Sequence, residues 1–377
     1  MAKNKLGIYI HLPFCLKKCN YCDFCSYTNV SDDERERYIA AVGRHIEKCA
    51  KKCQNHAVDT IYFGGGTPTL LNAAQFEKIF SFLRKDFDIA SDAEITVECN
   101  PATADREKFK ALHNMGVNRL SIGVQSVHDN ELAALGRVHK FSDVEKTFAD
   151  VRAAGFDNIS ADIMFGIPEQ TEESFRKTLE TAVAFEPTHI SAYGLILERG
   201  TPFYKNRKKL VFPDEDSEYN MYSEAVSFLK ENGYARYEIS NFAKPGFESK
   251  HNLKYWRSEE YLGFGVAAHS FFGGRRFYSP KKLSSYIGGR FVAGGSTVSE
   301  GDATAEYVML AMRTSSGVNE EDFYKKFGKK FGEIFGEKLE PFCREGLVVR
   351  ESGRCVFTDK GFYLSNAVLS EILEFDK

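Results

Sequence analysis

Cysteine is the residue type whose spacing carries the most chemistry in this chain. Cys15, Cys19 and Cys22 form a C-x-x-x-C-x-x-C run, and Cys25 follows on the same stretch. Thiolates are soft ligands suited to iron and zinc. Three on one loop can grip three irons of a cubane cluster, a fourth ligand commonly coming from elsewhere in sequence. With only three, one iron stays open to a small chelating molecule, which suits chemistry better than electron storage. Structural zinc competes, because zinc is closed by four ligands and Cys25 is a candidate fourth. The run favours a cluster without deciding the matter. Cys49 and Cys53, at i and i+4, read as the apolar side of a helix, and Cys99, Cys343 and Cys355 as structural thiols.

Other polar residues recur at the ends of apolar runs. Gly64-Gly65-Gly66-Thr67-Pro68 closes one of them, and its glycines would let backbone N–H groups approach a ligand, with Thr67 adding a hydroxyl. The turn matches neither the phosphate-binding G-x-x-x-x-G-K-[ST] pattern nor a G-x-G-x-x-G fingerprint. Glu98 closes TVECNP, Gln125 closes SIGVQS, Arg137 sits in LGRVH and Asp162 in ADIMFG. In a barrel, polar side chains at carboxyl ends of strands face the ligand mouth. Glu98 is then placed for a ribose hydroxyl or an ammonium group, and Gln125, Arg137 and Asp162 for a second polar portion. His251, beside Tyr255 and Trp256, can be a metal-binding imidazole next to ring faces, or a hydrogen-bonded core histidine. His269 is a second, lower-ranked candidate.

The elements that must position these residues alternate. Six β-rich runs lie near Ile8, Ile61, Ile95, Ile122, Ile163 and Ile190, and each of the first five precedes a helical pattern. Ser31 with Glu34, and Ser142 with Glu145, read as capping boxes. Strands alternating with amphipathic helices indicate parallel βαβ units. They predict an α/β fold, a complete or partial barrel such as (β/α)6, with a doubly wound sheet as the alternative. After Glu198 the rhythm gives way to a polar loop, a helix near 219–230 and a strand near 234–240. Residues 242–301 are Gly-rich and aromatic with little period. From Asp302, helices followed by LVVR and CVFT around Ser352-Gly353 read as a small winged-helix-like unit. The expected division is 1–235, 236–301 and 302–377.

Composition narrows the class. At 43% hydrophobic and 27% charged residues, with 32 Phe and 18 Tyr, the 377-residue chain has ample apolar surface to bury. Fifty basic against 53 acidic residues argue against a nucleic-acid partner, which usually requires a basic excess. No signal peptide or run of about 18 apolar residues is present, and nine cysteines, an odd number, suit a reducing cytoplasm.

The cysteine loop after the first strand, followed by the ordered strand ends, resembles the radical-SAM superfamily. That resemblance implies a 4Fe–4S cluster on Cys15, Cys19 and Cys22, whose open iron chelates the amino and carboxylate groups of S-adenosylmethionine. Reductive cleavage of that molecule yields a 5′-deoxyadenosyl radical. Tyr9 and the stretch from Tyr21 to Phe24 would flank the cluster and adenine, the Gly65-Gly66-Thr67 turn would hold the methionyl amino group, and Glu98, Gln125, Arg137 and Asp162 would line the remaining pocket. The segments YIHLPFC, YFGGGTPT, DIMFGIP, YGLILERGTPF, HNLKYW and YLGFGVAAHS are similar to one branch: the oxygen-independent coproporphyrinogen III oxidases and their relatives the haem chaperones. The oxidases add a cysteine two residues after the third, where this chain has Phe24; the chaperones carry H-N-x-x-Y-W, here His251, Asn252, Tyr255 and Trp256.

The resemblance therefore implies a cytoplasmic haem chaperone. Haem would be its cargo, His251 the haem ligand and respiratory haemoproteins the acceptors. The K-N-R-K-K run at 205–209 reads first as a solvated loop, with a peripheral contact to phospholipid headgroups at the inner membrane face as the alternative. The competing expectation is radical decarboxylation of coproporphyrinogen propionates to vinyls. No residue is assigned a catalytic role, and Cys25 is left without one.

Overall fold

A computed structural model describes residues 3–374. Six strands, β1 (Asn4–Leu12), β2 (His56–Gly65), β3 (Ile89–Cys99), β4 (Arg119–Gln125), β5 (Ile159–Phe165) and β6 (His189–Gly194), pair in parallel in chain order. Each crossover thus moves one step the same way, bending the sheet into a barrel arc. A doubly wound sheet would reverse direction at a switch point, and this one does not.

The arc is amphipathic by alternation. Ile8, Ile10, Ile61, Phe63, Ile122 and Ile163 share one apolar core with helix α1 (Asp32–Ala50) and helix α2 (Ala73–Asp86), through residues such as Ile39, Ile46, Phe76 and Phe80. Outside this layer lie α3 (Arg106–Asn114), α4 (Asp129–Leu135), α5 (Phe141–Ala153) and α6 (Glu172–Ala184). The intervening positions, Tyr62, Glu98, Arg119, Ser121, Ser160, Asp162, His189 and Ser191, line the concave side. Strand residues alternate faces, so one period-two pattern gives both a core and a polar interior.

Of the two expected helix starts, one holds and one moves. Ser31 caps α1, its Oγ accepting from the Glu34 N–H at 3.2 Å. The Ser142 box does not form: α5 starts two residues earlier, and Asp143 reaches back to the Lys140 N–H at 2.8 Å. An acidic side chain at the third helical position supplies half a box without a Ser or Thr cap.

Beyond β6 come α7 (Pro202–Asn206), α8 (Glu215–Glu231), β7 (Ala235–Arg236) and β8 (Asn241–Ala243). The strand expected over 234–240 is thus only a two-residue pairing. Helix α9 (Lys250–Trp256) follows, then β9 (Tyr261–Phe264), β10 (His269–Phe272), β11 (Arg275–Tyr278), α10 (Leu283–Ile287) and β12 (Gly294–Thr297). The stretch that lacked period in sequence extends the sheet to twelve strands, because β9 pairs in parallel with β1 and β10–β12 continue antiparallel. Strands of four residues are too short to display alternation.

The last unit holds α11 (Glu300–Ala311), β13 (Val318–Asn319), α12 (Glu320–Phe327), α13 (Phe331–Arg344), β14 (Val348–Glu351), β15 (Arg354–Phe357), α14 (Asp359–Tyr363) and α15 (Ser365–Ile372). Ser352 and Gly353 both take positive φ, the geometry of a type I′ hairpin, so the expected wing forms. Arg236 ties the unit to the arc through an ion pair with Asp359 and stacks over the Phe362 ring.

Helix α9 enters the concave side, where its buried Lys254 pairs with Asp59 at 2.8 Å and a second carboxylate holds its N-terminus. Buried Glu94 accepts from the Lys250 and His251 N–H groups, both at 3.0 Å. A negative group at a helix N-terminus meets both the unpaired donors and the dipole. Glu94→Ala strands two donors and should lower unfolding free energy by about 2 kcal/mol in urea titrations.

Candidate functional site

The cysteine loop is fixed at several points. Gly66 N–H donates to the Leu12 carbonyl at 2.9 Å and Thr67 N–H to the Phe14 carbonyl at 2.7 Å. A Cβ on Gly66 would sit 2.7 Å from the Phe14 oxygen, so only glycine permits this approach. Asn20 anchors the far side to α4, donating from Nδ2 to Ala134 at 2.8 Å and from its backbone to Leu135 at 2.9 Å. The glycine turn therefore differs from expectation: its N–H groups are spent on the protein, Gly65 donating to Glu98 Oε2 at 3.0 Å. These bonds seat the loop, while Gly65, Gly66 and Thr67 stay on the wall of the space beside it.

Seated in this way, Cys15, Cys19 and Cys22 line one side of a cavity of about 600 Å3 at the mouth of the arc, with Tyr21, Phe24, Gly65, Gly66, Thr67, Glu98, Gln125, Arg137 and Asp162 also on its wall. Thr67 Oγ1 donates to Cys15 Sγ and Arg137 Nη1 to Cys19 Sγ, each at 3.8 Å. Arg137 also donates to the Gly123 carbonyl at 3.0 Å and to Asn100 Oδ1. Gln125 sits at a register shift between β4 and β5 with φ +66°, and its Oε1 accepts from the Tyr193 hydroxyl at 2.8 Å. Left-handed backbone at a non-glycine residue costs energy and collects at functional sites.

Two buried carboxyls sit deeper. Glu98 accepts from the Tyr62 hydroxyl and from Gly65, and burial holds it up to about 7, with nearby Asp162 adding to the shift. Burial likewise raises Asp162 to about 6, against the hydroxyls of Ser160 and Ser121, which donate to it at 2.8 Å. Behind Asp162 runs a chain. Ser160 meets His189 Nδ1 at 2.8 Å, and His189 Nε2 meets the Tyr237 hydroxyl at 2.9 Å. Reading the sequence by its motifs passed over Tyr62, Arg119, Ser121, Ser160 and His189. Their signal is the polar residues at alternate positions of TIYFGG, RLSIGV, ISADIM and HISAYG.

The thiols fit an iron–sulfur cluster better than zinc. Cys25 is turned away, its Sγ reaching the Lys281 carbonyl at 3.5 Å, so it does not close a fourth corner. Among the described residues no three His, Cys, Asp or Glu converge as a single ion requires. Three thiols facing one space, each to take its own iron, is the donor set of an open cluster. Burial pushes the Cys22 thiol up to about 11, so its deprotonation depends on metal charge.

Two expected ligands lie elsewhere. Tyr9 faces a second cavity of about 840 Å3 together with His11, Cys25, Tyr255, Tyr261 and His269. Its hydroxyl meets His11 Nδ1 at 3.0 Å, and its ring stacks on Tyr62, which faces the first cavity. His251 reaches neither cavity wall. It is 1% exposed, with Nδ1 on Thr60 Oγ1 and Nε2 on the Tyr255 hydroxyl, both at 2.8 Å. Both ring nitrogens are engaged, one donating and one accepting, so the expected axial haem ligation by His251 is not what this geometry offers. Helix α9 carries it into the interior, which no local spacing reveals.

Two outcomes follow. Cys15→Ser, Cys19→Ser and Cys22→Ser should each lose most iron after anaerobic reconstitution, while Cys25→Ser keeps it, as read by iron analysis per chain. Glu98 keeps its proton in the folded chain up to about 7, against 4.5 ordinarily, so the stability it adds is full below the lower value and fades as pH rises through the higher. Wild type should therefore lose about 2 kcal/mol relative to Glu98→Gln between about pH 5 and about pH 7.5 without ligands, the buried histidines being common to both.

With the geometry in place, likeness to known proteins is specific. The radical SAM superfamily description matches residues 9–182 and the HemN C-terminal domain residues 298–364. "Heme chaperone HemW" of Bacillus subtilis is 37% identical, covering 97% of this chain and 98% of that one. The Lactococcus lactis protein of the same name is 34% identical over 99% and 98%. The Escherichia coli coproporphyrinogen III oxidase HemN structure superposes with a TM-score of 0.86, covering 99% of this chain and 91% of that one; at 24% identity it speaks for the fold. Full-length identity of this order places the chain in the HemW family of radical SAM proteins.

Proposed function

We propose that the protein is a haem chaperone that holds a 4Fe–4S cluster on Cys15, Cys19 and Cys22 and S-adenosylmethionine in the adjoining cavity, and that delivers haem to respiratory haemoproteins. The observation that carries this is the gathering of three thiols, the Gly65–Thr67 turn and the polar ends of β3, β4 and β5 around one space. When bound, such a cluster supplies a low-potential electron beside a chelated cosubstrate.

This chain's residues supply the setting. Arg137 sets positive charge against Cys19 and is positioned for a ligand's anionic portion. Glu98 and Asp162, whose carboxyls burial shifts upward, line the same wall and can accept from ribose hydroxyls or an ammonium group of a ligand. The Tyr62–Tyr9 stack separates this space from the second cavity. Phe24 stands where the oxidases carry their additional cysteine; it is 66% exposed and lines both cavities, which favours the chaperone over the decarboxylating reading.

A peripheral membrane contact forms part of the same proposal. Ile196 and Val211 are 69% and 70% exposed and flank the basic run at 205–209. Apolar side chains beside clustered lysines suit an anionic lipid surface. No helix among the described residues is long and apolar enough to cross a membrane.

Anaerobically reconstituted protein should carry about four irons per chain, bind haem stably and pass it to an apo-cytochrome. Conversion of coproporphyrinogen III to protoporphyrinogen by the same preparation would replace this reading with the oxidase one.

A further inference from the structure

We propose that the second cavity is the haem-binding site and that His269, not His251, supplies the axial nitrogen. The inference rests on the reading of the chain as a haem carrier and assigns that cargo a place.

A haem site needs a free lone pair, flat walls, cations for two propionates and room. His251 offers no free lone pair, because Thr60 and Tyr255 engage both ring nitrogens. His269, on β10, is exposed, and its ring nitrogens make no hydrogen bond among the described residues. Its ring stacks on Tyr278 with centroids 5.4 Å apart and planes 27° from parallel, which limits its rotation. Partial burial and the nearby charges of Lys281 and Arg276 hold its pKa below the ordinary value, keeping the imidazole neutral and able to ligate.

The walls fit a porphyrin. Tyr255 and Tyr261 meet edge to face at 4.6 Å, and both line the cavity with Tyr9 and Phe24. Lys281 and Lys282, adjacent in sequence, lie on the same wall and can each meet a propionate. The volume, about 840 Å3, falls within the usual range for ligand sites. The first cavity is smaller, about 600 Å3, and its interior carries Arg119, Asp162, Ser160 and His189, a poor surface for an apolar macrocycle.

The placement also couples the sites. Lys18, Asp23, Phe24 and Ser26 of the cysteine loop border both cavities, and His11 Nε2 meets the Cys25 carbonyl at 2.8 Å. Haem would lie against the opposite side of the loop that carries the cluster thiols.

The test is hemin titration of anaerobically reconstituted protein, followed by Soret absorbance, for wild type, His269→Gly and His251→Ala. His269→Gly should bind at least about tenfold more weakly, with a displaced Soret band that added imidazole restores, and with iron content unchanged. His269→Gln should show the same loss without rescue, which guards against a glycine-specific folding defect. Wild-type affinity and spectrum in both His269 variants would overturn the assignment while leaving the chaperone reading intact. Loss in Cys25→Ser but not in the His269 variants would likewise overturn it. Wild-type protein that fails to bind hemin would remove the haem-carrier reading itself.

Discussion

The close docking of the cysteine loop on the β2 glycine turn is the contact on which the rest of the site depends. Two backbone hydrogen bonds, from Gly66 to Leu12 and from Thr67 to Phe14, join the end of β2 to the start of the loop. They form only because Gly66 lacks a side chain; any Cβ would press on the Phe14 carbonyl. Gly65 adds a second constraint, since its φ of +109° and the His11 ring behind it exclude other residues. Once this seam is closed, the positions of Cys15, Cys19 and Cys22 relative to Glu98 and Arg137 follow from the sheet.

The sheet supplies the other condition, a polar interior that stays satisfied. Apolar residues at one set of alternate positions build the core with the helices, and the other set furnishes Arg119, Ser121, Ser160, Asp162 and His189. Most of these groups pair with one another, as in the Tyr237–His189–Ser160–Asp162 chain. Arg119 is the exception: it is 2% exposed and its Nε has no hydrogen-bond partner, its charge being met by the nearby Asp162 carboxylate. A low-dielectric interior strengthens such fields, which is what a site handling charged ligands requires.

Much of this was legible in the chain, for physical reasons that differ by residue. The cysteine spacing is read directly because the ligands lie on one loop. Glu98, Gln125 and Asp162 share one cavity wall because strand ends in a parallel arc converge, so a linear order becomes a ring. His251 lies deeper than its motif suggests, because Glu94, far away in sequence, draws α9 into the interior. Tyr9 lines the second cavity and not the first, since a strand's register fixes its face but not which side of an aromatic stack it occupies. The edge strands from β9 to β12 were hidden by their brevity, and they turn out to carry His269.

The central claim is that the three thiols and the polar strand ends serve one composite ligand, a cluster with S-adenosylmethionine on its open iron. Electron paramagnetic resonance of the reduced, reconstituted protein tests it most directly. Adding S-adenosylmethionine should shift the g values of the cluster signal, and Arg137→Ala should weaken the shift at limiting ligand. A reduced-cluster spectrum unchanged by saturating S-adenosylmethionine would contradict it.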